Sequence, residues 1–151
     1  MAKPSIKNNL FILIFIFVYC LVIQGCSDIN KPAIIIKDAH LYLPLKGTDM
    51  AAGYLRLENN QAKKLVISSI ECKKIKASLH ETILDAEGIM KMKKLERFTV
   101  DPESHVNFMP GGKHVMFSGF KEFQESILKC TFLSEFGIQI PFIFEVQTNA
   151  N

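Results

Sequence analysis

Two imidazoles and a group of thioethers stand at spacings that extended backbone could bring together. His80 precedes, and Met90 and Met92 follow, the polar stretch Asp85-Ala86-Glu87-Gly88; His114-Val115-Met116 follows Pro110-Gly111-Gly112. Side chains two apart on a strand share a face, so His114 and Met116 point together, as do Met90 and Met92. Thioethers are soft and uncharged and favour monovalent copper over zinc, magnesium or calcium; imidazole suits copper as well. Zinc sites use Cys, His and carboxylates. A blue-copper electron-transfer centre needs a Cys thiolate with two His, and no Cys lies between His80 and His114 and no His follows His114. The chemistry these residues suggest is therefore a carrier site for Cu(I), not a redox centre. Taken one at a time, Met is a common core filler and a lone His a common structural residue, and that reading stands beside the metal reading.

The elements that would position these groups are short strands. Leu84 to Gly88 reads as a hairpin turn between apolar flanks. Centred on Ala86, it would set Thr82 opposite Met90 and His80 opposite Met92, with opposed Cβ atoms about 4.5–5.5 Å apart. Pro110-Gly111-Gly112 is a second turn, delivering His114 at the start of the next strand. Alternating segments run through Ala33–Tyr42, with a bulge, and through Ala51–Glu58, Leu65–Ile70, Ile75–Leu84 and Ile89–Lys94. They continue through Phe98–Val100, His105–Met109, His114–Phe117, Ser126–Leu133 and Ile138–Val146. Pro141 marks an edge or a bulge in the last of these. Short strands separated by turns every eight to twelve residues predict an all-β, single-domain sandwich or barrel. A domain of that size buries its own core without metal.

The 151 residues suit one domain. Met1–Asn9 carries Lys3 and Lys7 and no acid, and Leu10–Ile23 is wholly apolar. That pattern predicts an export signal over residues 1–25. Residues 26–32 then form a tether, residues 33–147 the β-domain and residues 148–151 a tail. Ile23-Gln24-Gly25-Cys26 resembles a bacterial lipoprotein box, which makes Cys26 the expected lipidated residue and the location periplasmic and membrane-tethered. Removing the signal removes two lysines, so the formal charge of +3 falls to +1. Near-neutrality gives no support to nucleic-acid binding. Cys72 and Cys130 remain. Export permits a disulfide, but Cys130 alternates with Leu128 and Phe132 on the inner face, and a buried free thiol is the favoured reading. Asp85, Glu87, Asp101 and Glu103 read as solvated turn charges. No Ser–His–acid arrangement and no Gly-rich phosphate loop is legible, so no enzyme is expected.

The chain resembles the PCu(A)C family of periplasmic copper chaperones. That family's pattern is a His, an optional Met, ten residues, a Met, twenty-one residues and His-x-Met. Here His80 is followed by Glu81, then Thr82–Lys91, Met92, Lys93–Lys113 and His114-Val115-Met116. Further likeness lies in Ala51–Asn59, Leu79-His80-Glu81, Gly88–Met92 and Pro110-Gly111-Gly112. The resemblance implies a cupredoxin-like Greek-key fold without a redox role, and His80, Met92, His114 and Met116 as ligands to Cu(I). It also implies delivery of the ion, by a monomer, to the cytochrome c oxidase copper-centre subunit or another copper-assembly protein. A sequestering lipoprotein without an acceptor is the alternative. Thr82 and Leu84 stand where many members carry additional Met, and Met90 is the possible auxiliary thioether. His40 stands where members often carry Trp and reads as a partly exposed strand residue.

Overall fold

A computed structural model describes residues 32–44, 48–120 and 123–147. The expected export signal, Cys26 and the tail lie outside the described residues. Among the described residues ten strands occur in chain order: β1 Ile34–Tyr42, β2 Met50–Asn59, β3 Leu65–Cys72, β4 Lys76–Leu84, β5 Met90–Lys94, β6 Phe98–Val100, β7 Ser104–Phe108, β8 Lys113–Ser118, β9 Ile127–Ser134 and β10 Gln139–Gln147. All pair into one sheet in the order β5-β4-β8-β7-β2-β1-β10-β9-β3-β6, with β8 also paired to β2. The β1–β10 and β7–β8 pairs are parallel and the rest antiparallel. The sheet curls on itself, so that β3 meets β4 and β6 meets β7 although they are distant in that order. This is the all-β architecture that the short alternating strands predict, and the cupredoxin-like one that the resemblance implies.

Alternation decides which face is core. In β2, Ala51, Gly53, Leu55 and Leu57 point inward and Ala52, Tyr54 and Arg56 are partly exposed. In β9, Leu128, Cys130 and Phe132 are buried. Phenylalanine rings run through the interior as a chain of contacts, Phe98–Phe132–Phe142–Phe144–Phe117–Phe120, with centroids 4.7–6.1 Å apart. Most meet edge-on, the arrangement ring quadrupoles favour. The chain is tight at Gly53, where an added Cβ would come within 2.6 Å of Phe117 Cε2 and 3.0 Å of Phe144 Cε1.

The expected bulge in β1 falls between Lys37 and His40, with Asp38 at φ 53°. Pro141 pairs with Thr131 of β9, while the other side of β10 there has no partner strand, because β1 joins β10 only from Glu145 onward. A missing N–H costs nothing on that side. The two diverging strands leave a cleft of about 670 Å³ lined by Ile34, Ile36, Ile140 and Phe142 among others.

The cysteines correct the sequence reading. Cys72 and Cys130 are directly opposed in the β3–β9 register, with Cα atoms 4.1 Å apart, and they form a disulfide. The inner-face placement of Cys130 is retained, but its partner Cys72 lies 58 residues earlier in the chain, a pairing that local alternation does not reveal. Asp85 is also not a free turn charge. Its Oδ1 accepts the N–H groups of Glu87 and Ile89, and its Oδ2 lies 2.8 Å from Lys91 Nζ. The Lys91 ammonium and these backbone donors hold its carboxyl below the usual carboxylate range.

Candidate metal centre

The site is built on three adjacent strands, β5, β4 and β8. His80 and His114 are directly opposed across β4 and β8, and their rings stack with centroids 5.9 Å apart and planes 28° from parallel. Met116 lies two residues beyond His114 and is opposed to Ser78, two residues before His80. On the other side Met92 is opposed to Thr82, two residues after His80. His80, Met92, His114 and Met116 therefore share one face. His80 is the hub, with His114 beside it and the two Met as diagonal neighbours, one from each flanking strand. Such diagonals span about 7–8 Å between Cα atoms, within reach of long side chains.

The hairpin register differs from the expected one. Thr82 pairs with Met92 and Leu84 with Met90, so the turn centres on Glu87 and Lys94, not Met92, stands opposite His80. The cause is local. Asp85 N–H donates to Ile89 O, leaving Ala86-Glu87-Gly88 as the loop, with Gly88 at φ 77°. A three-residue loop with Gly in the left-handed region is a standard hairpin closure, and the Asp85 carboxylate fixes it from within. The slip is two residues, an even number, so the faces are preserved. Met90 falls one pair beyond Met92, at Leu84, and is 71% exposed.

Hydrogen bonds define which nitrogen of each ring is available. Gly112 O accepts a hydrogen bond from His114 Nδ1 at 3.0 Å. A carbonyl only accepts, so Nδ1 carries a proton and the neutral ring presents its lone pair at Nε2. His80 Nε2 lies 3.0 Å from Ser78 Oγ, and His80 Nδ1 is buried without a hydrogen-bond partner among the described residues. With Nε2–H donating to Ser78, the orphaned Nδ1 presents a lone pair, the arrangement a metal ligand requires. Burial, then the neighbouring His114 ring and the Lys94 ammonium, push the His80 pKa down, which keeps the ring neutral. On the opposite face Glu81 and Lys113 form a tight ion pair that ties β4 to β8. Ser78 is the residue that sequence reading missed; its place two before His80 was the available signal.

The donors are graded in depth. His114 is 7% exposed and Met92 54%. Among the described residues no three His, Cys, Asp or Glu side chains gather as a metal site. The arrangement thus offers two imidazole nitrogens and two uncharged sulphurs, a set that fits cuprous copper and lacks the anionic ligands of a hard-metal site. His40 lies two strands away, in β1. It donates from Nδ1 to Asp38 O at 2.8 Å and packs against Tyr42 and Tyr54, as a partly exposed strand residue.

Fold and site together define a cupredoxin-like β-domain that displays a His/Met face. The LpqE-like lipoprotein family matches residues 34–132, and the chain belongs to that family. Solved structures share the fold. The copper-bound PCuAC domain from PmoF2 superposes with a TM-score of 0.62 at 18% identity, over 78% of this chain and 94% of that one. Cu(I)-loaded DR1885 from Deinococcus radiodurans gives 0.63 at 17% identity, over 86% and 88%. The apo PCuAC domain from PmoF1 gives 0.62 at 17%, over 78% and 95%. No protein of curated function matches the chain in sequence.

Proposed function

We propose that this domain is a Cu(I) carrier of the bacterial cell envelope, with His80, Met92, His114 and Met116 as its ligands. The observation that carries the reading is the placement of two imidazoles and two thioethers on one face of three adjacent strands, with a buried nitrogen of His80 that has no hydrogen-bond partner among the described residues. Two structures of the same fold are described as copper-bound and Cu(I)-loaded, which supports the same cargo here. Lipidation of Cys26, after removal of residues 1–25, would tether a monomeric domain over residues 33–147 to the membrane, in keeping with a lipoprotein family.

The mechanism is ligand exchange. Two imidazoles and two thioethers hold the ion without any thiolate or carboxylate, so an acceptor offering thiolate displaces them one at a time. Met92, half exposed, is the first ligand an acceptor can replace; His114, the most buried, is the last. The role we propose is supply of copper to the copper centre of cytochrome c oxidase. No step calls on a nucleophile or a base, and the domain is not an enzyme.

The test is competition for Cu(I) against a chromogenic chelator under anaerobic, reducing conditions, followed by transfer to an apo copper-centre fragment of the oxidase. One equivalent bound and then transferred is the expected result. Met92→Ala and Met116→Ala should each weaken binding while circular dichroism stays unchanged. Wild-type affinity in both variants would remove the thioethers from the ligand set. Binding without transfer would favour sequestration.

A further inference from the structure

We infer that Met109 is a further copper(I) ligand of this chain, a third sulphur at the solvent-facing mouth of the site that shares the ion with Met92. The inference rests on the copper reading above and concerns a residue outside its four ligands. Met109 opens the turn Met109-Pro110-Gly111-Gly112, closed by Gly112 N–H donating to Met109 O at 3.0 Å, with Gly111 at φ 76°. Pro followed by a Gly with positive φ is a type II turn. It folds the Met109 side chain back over Gly112: a Cβ built on Gly112 would lie 3.4 Å from Met109 Cγ.

The position of Gly112 gives this contact its meaning. Gly112 O accepts both His114 Nδ1–H and Thr82 N–H, so Gly112 stands beside Thr82 in the sheet, and Thr82 stands beside Met92. Across β5, β4 and β8 there is thus a row of Met92, Thr82 and Gly112, next to the row of Lys94, His80 and His114. A small side chain and a glycine separate the Met92 backbone from the Met109 side chain. Nothing bulky in that row blocks the two thioethers from meeting above it. Met116 lies on the far side of the histidine row, beside Ser78.

The comparison with Met90 makes the assignment specific. Met90 is one pair further out than Met92, opposite Leu84, two rows from the histidines. Met109 is one row away and half exposed at 50%. Both are accessible, but only the Met109 side chain packs over a residue, Gly112, in the row of a proposed ligand. An ion held by His80, His114 and Met116 would exchange Met92 for Met109 without leaving sulphur, and an acceptor would meet two thioethers at the rim.

The experiment uses the protein with its methionine methyl groups labelled with carbon-13, titrated with Cu(I) under argon and followed by NMR. The Met109 methyl resonance should move with those of Met92 and Met116 during the first equivalent. Met109→Leu should weaken Cu(I) binding about three- to ten-fold in the chelator competition, with an unchanged circular dichroism spectrum. A Met109 resonance that stays still while Met92 and Met116 move overturns this inference and leaves the four-ligand site intact. If none of the three moves, the copper reading itself fails and Met109 falls with it.

Discussion

Breaking the Cys72–Cys130 bridge should cost the domain a large part of its stability and almost none of its copper affinity. The bridge closes a loop with a sequence separation of 58. In the chain-entropy treatment a loop of that length constrains the unfolded chain by about 4 kcal/mol, an upper figure because native strain and residual unfolded structure reduce it. For a domain of this size each kcal/mol moves the melting temperature by about 4 °C, so reduction should lower it by roughly 10–15 °C. The bridge joins β3 to β9, whereas the candidate ligands lie on β5, β4 and β8. Copper affinity of the reduced, folded protein should therefore stay within about two-fold of the oxidised one. The assay is thermal and urea denaturation of wild type and of Cys72→Ser/Cys130→Ser, with and without reductant, paired with Cu(I) competition at a temperature where both are folded. A wild-type melting temperature indifferent to reductant would refute the stability argument. A large loss of copper affinity in the folded double variant would refute the separation of bridge from site.

Other outcomes follow from the same geometry. Gly53→Ala should destabilise by about 1–3 kcal/mol in urea denaturation, because its new Cβ would press on Phe117 and Phe144; wild-type stability would mean that the ring chain yields freely. Ser78→Ala should weaken Cu(I) binding about ten-fold while leaving stability nearly unchanged, because it releases the His80 ring from its 3.0 Å partner; unchanged affinity would dismiss Ser78 as a positioning residue. Protons and Cu(I) compete for the His80 lone pair, and the pKa of His80 is held low. Binding followed from pH 7.5 to 5 should thus lose the His80 contribution only below the ordinary imidazole value of about 6.5. The apo domain follows the same sign: the unfolded chain takes up the proton first, so His80 costs stability as pH falls below that value. Affinity that stays flat to pH 5 would exclude the imidazoles as ligands.

The candidate ligand face was legible because it depends only on alternation. His114-x-Met116 and Met90-x-Met92 share faces in any extended backbone, and an even slip of the hairpin leaves those faces in place. The register itself was not legible, because it is set by hydrogen bonds that the Asp85 carboxylate accepts from the N–H groups of its own loop. Those bonds convert a symmetric-looking turn into one that absorbs Gly88. The disulfide was hidden for another reason. It requires β3 and β9 to be neighbours, and that neighbourhood is set by closure of the whole curled sheet. Met109 escaped because it sits in a turn, where the period-2 rule that groups the other methionines does not operate.

Strand β5 is one margin of the sheet, and all five of its residues are exposed. The Met92 thioether is accessible from solvent at that position, yet an open margin also offers its backbone to any passing strand. The alternation Met90-Lys91-Met92-Lys93-Lys94 answers both demands, because the lysines repel a second copy of the same margin while the sulphurs remain reachable. Replacing Lys91 and Lys93 by apolar residues would be expected to turn this open margin into a seam for self-association, visible as concentration-dependent aggregation in light scattering.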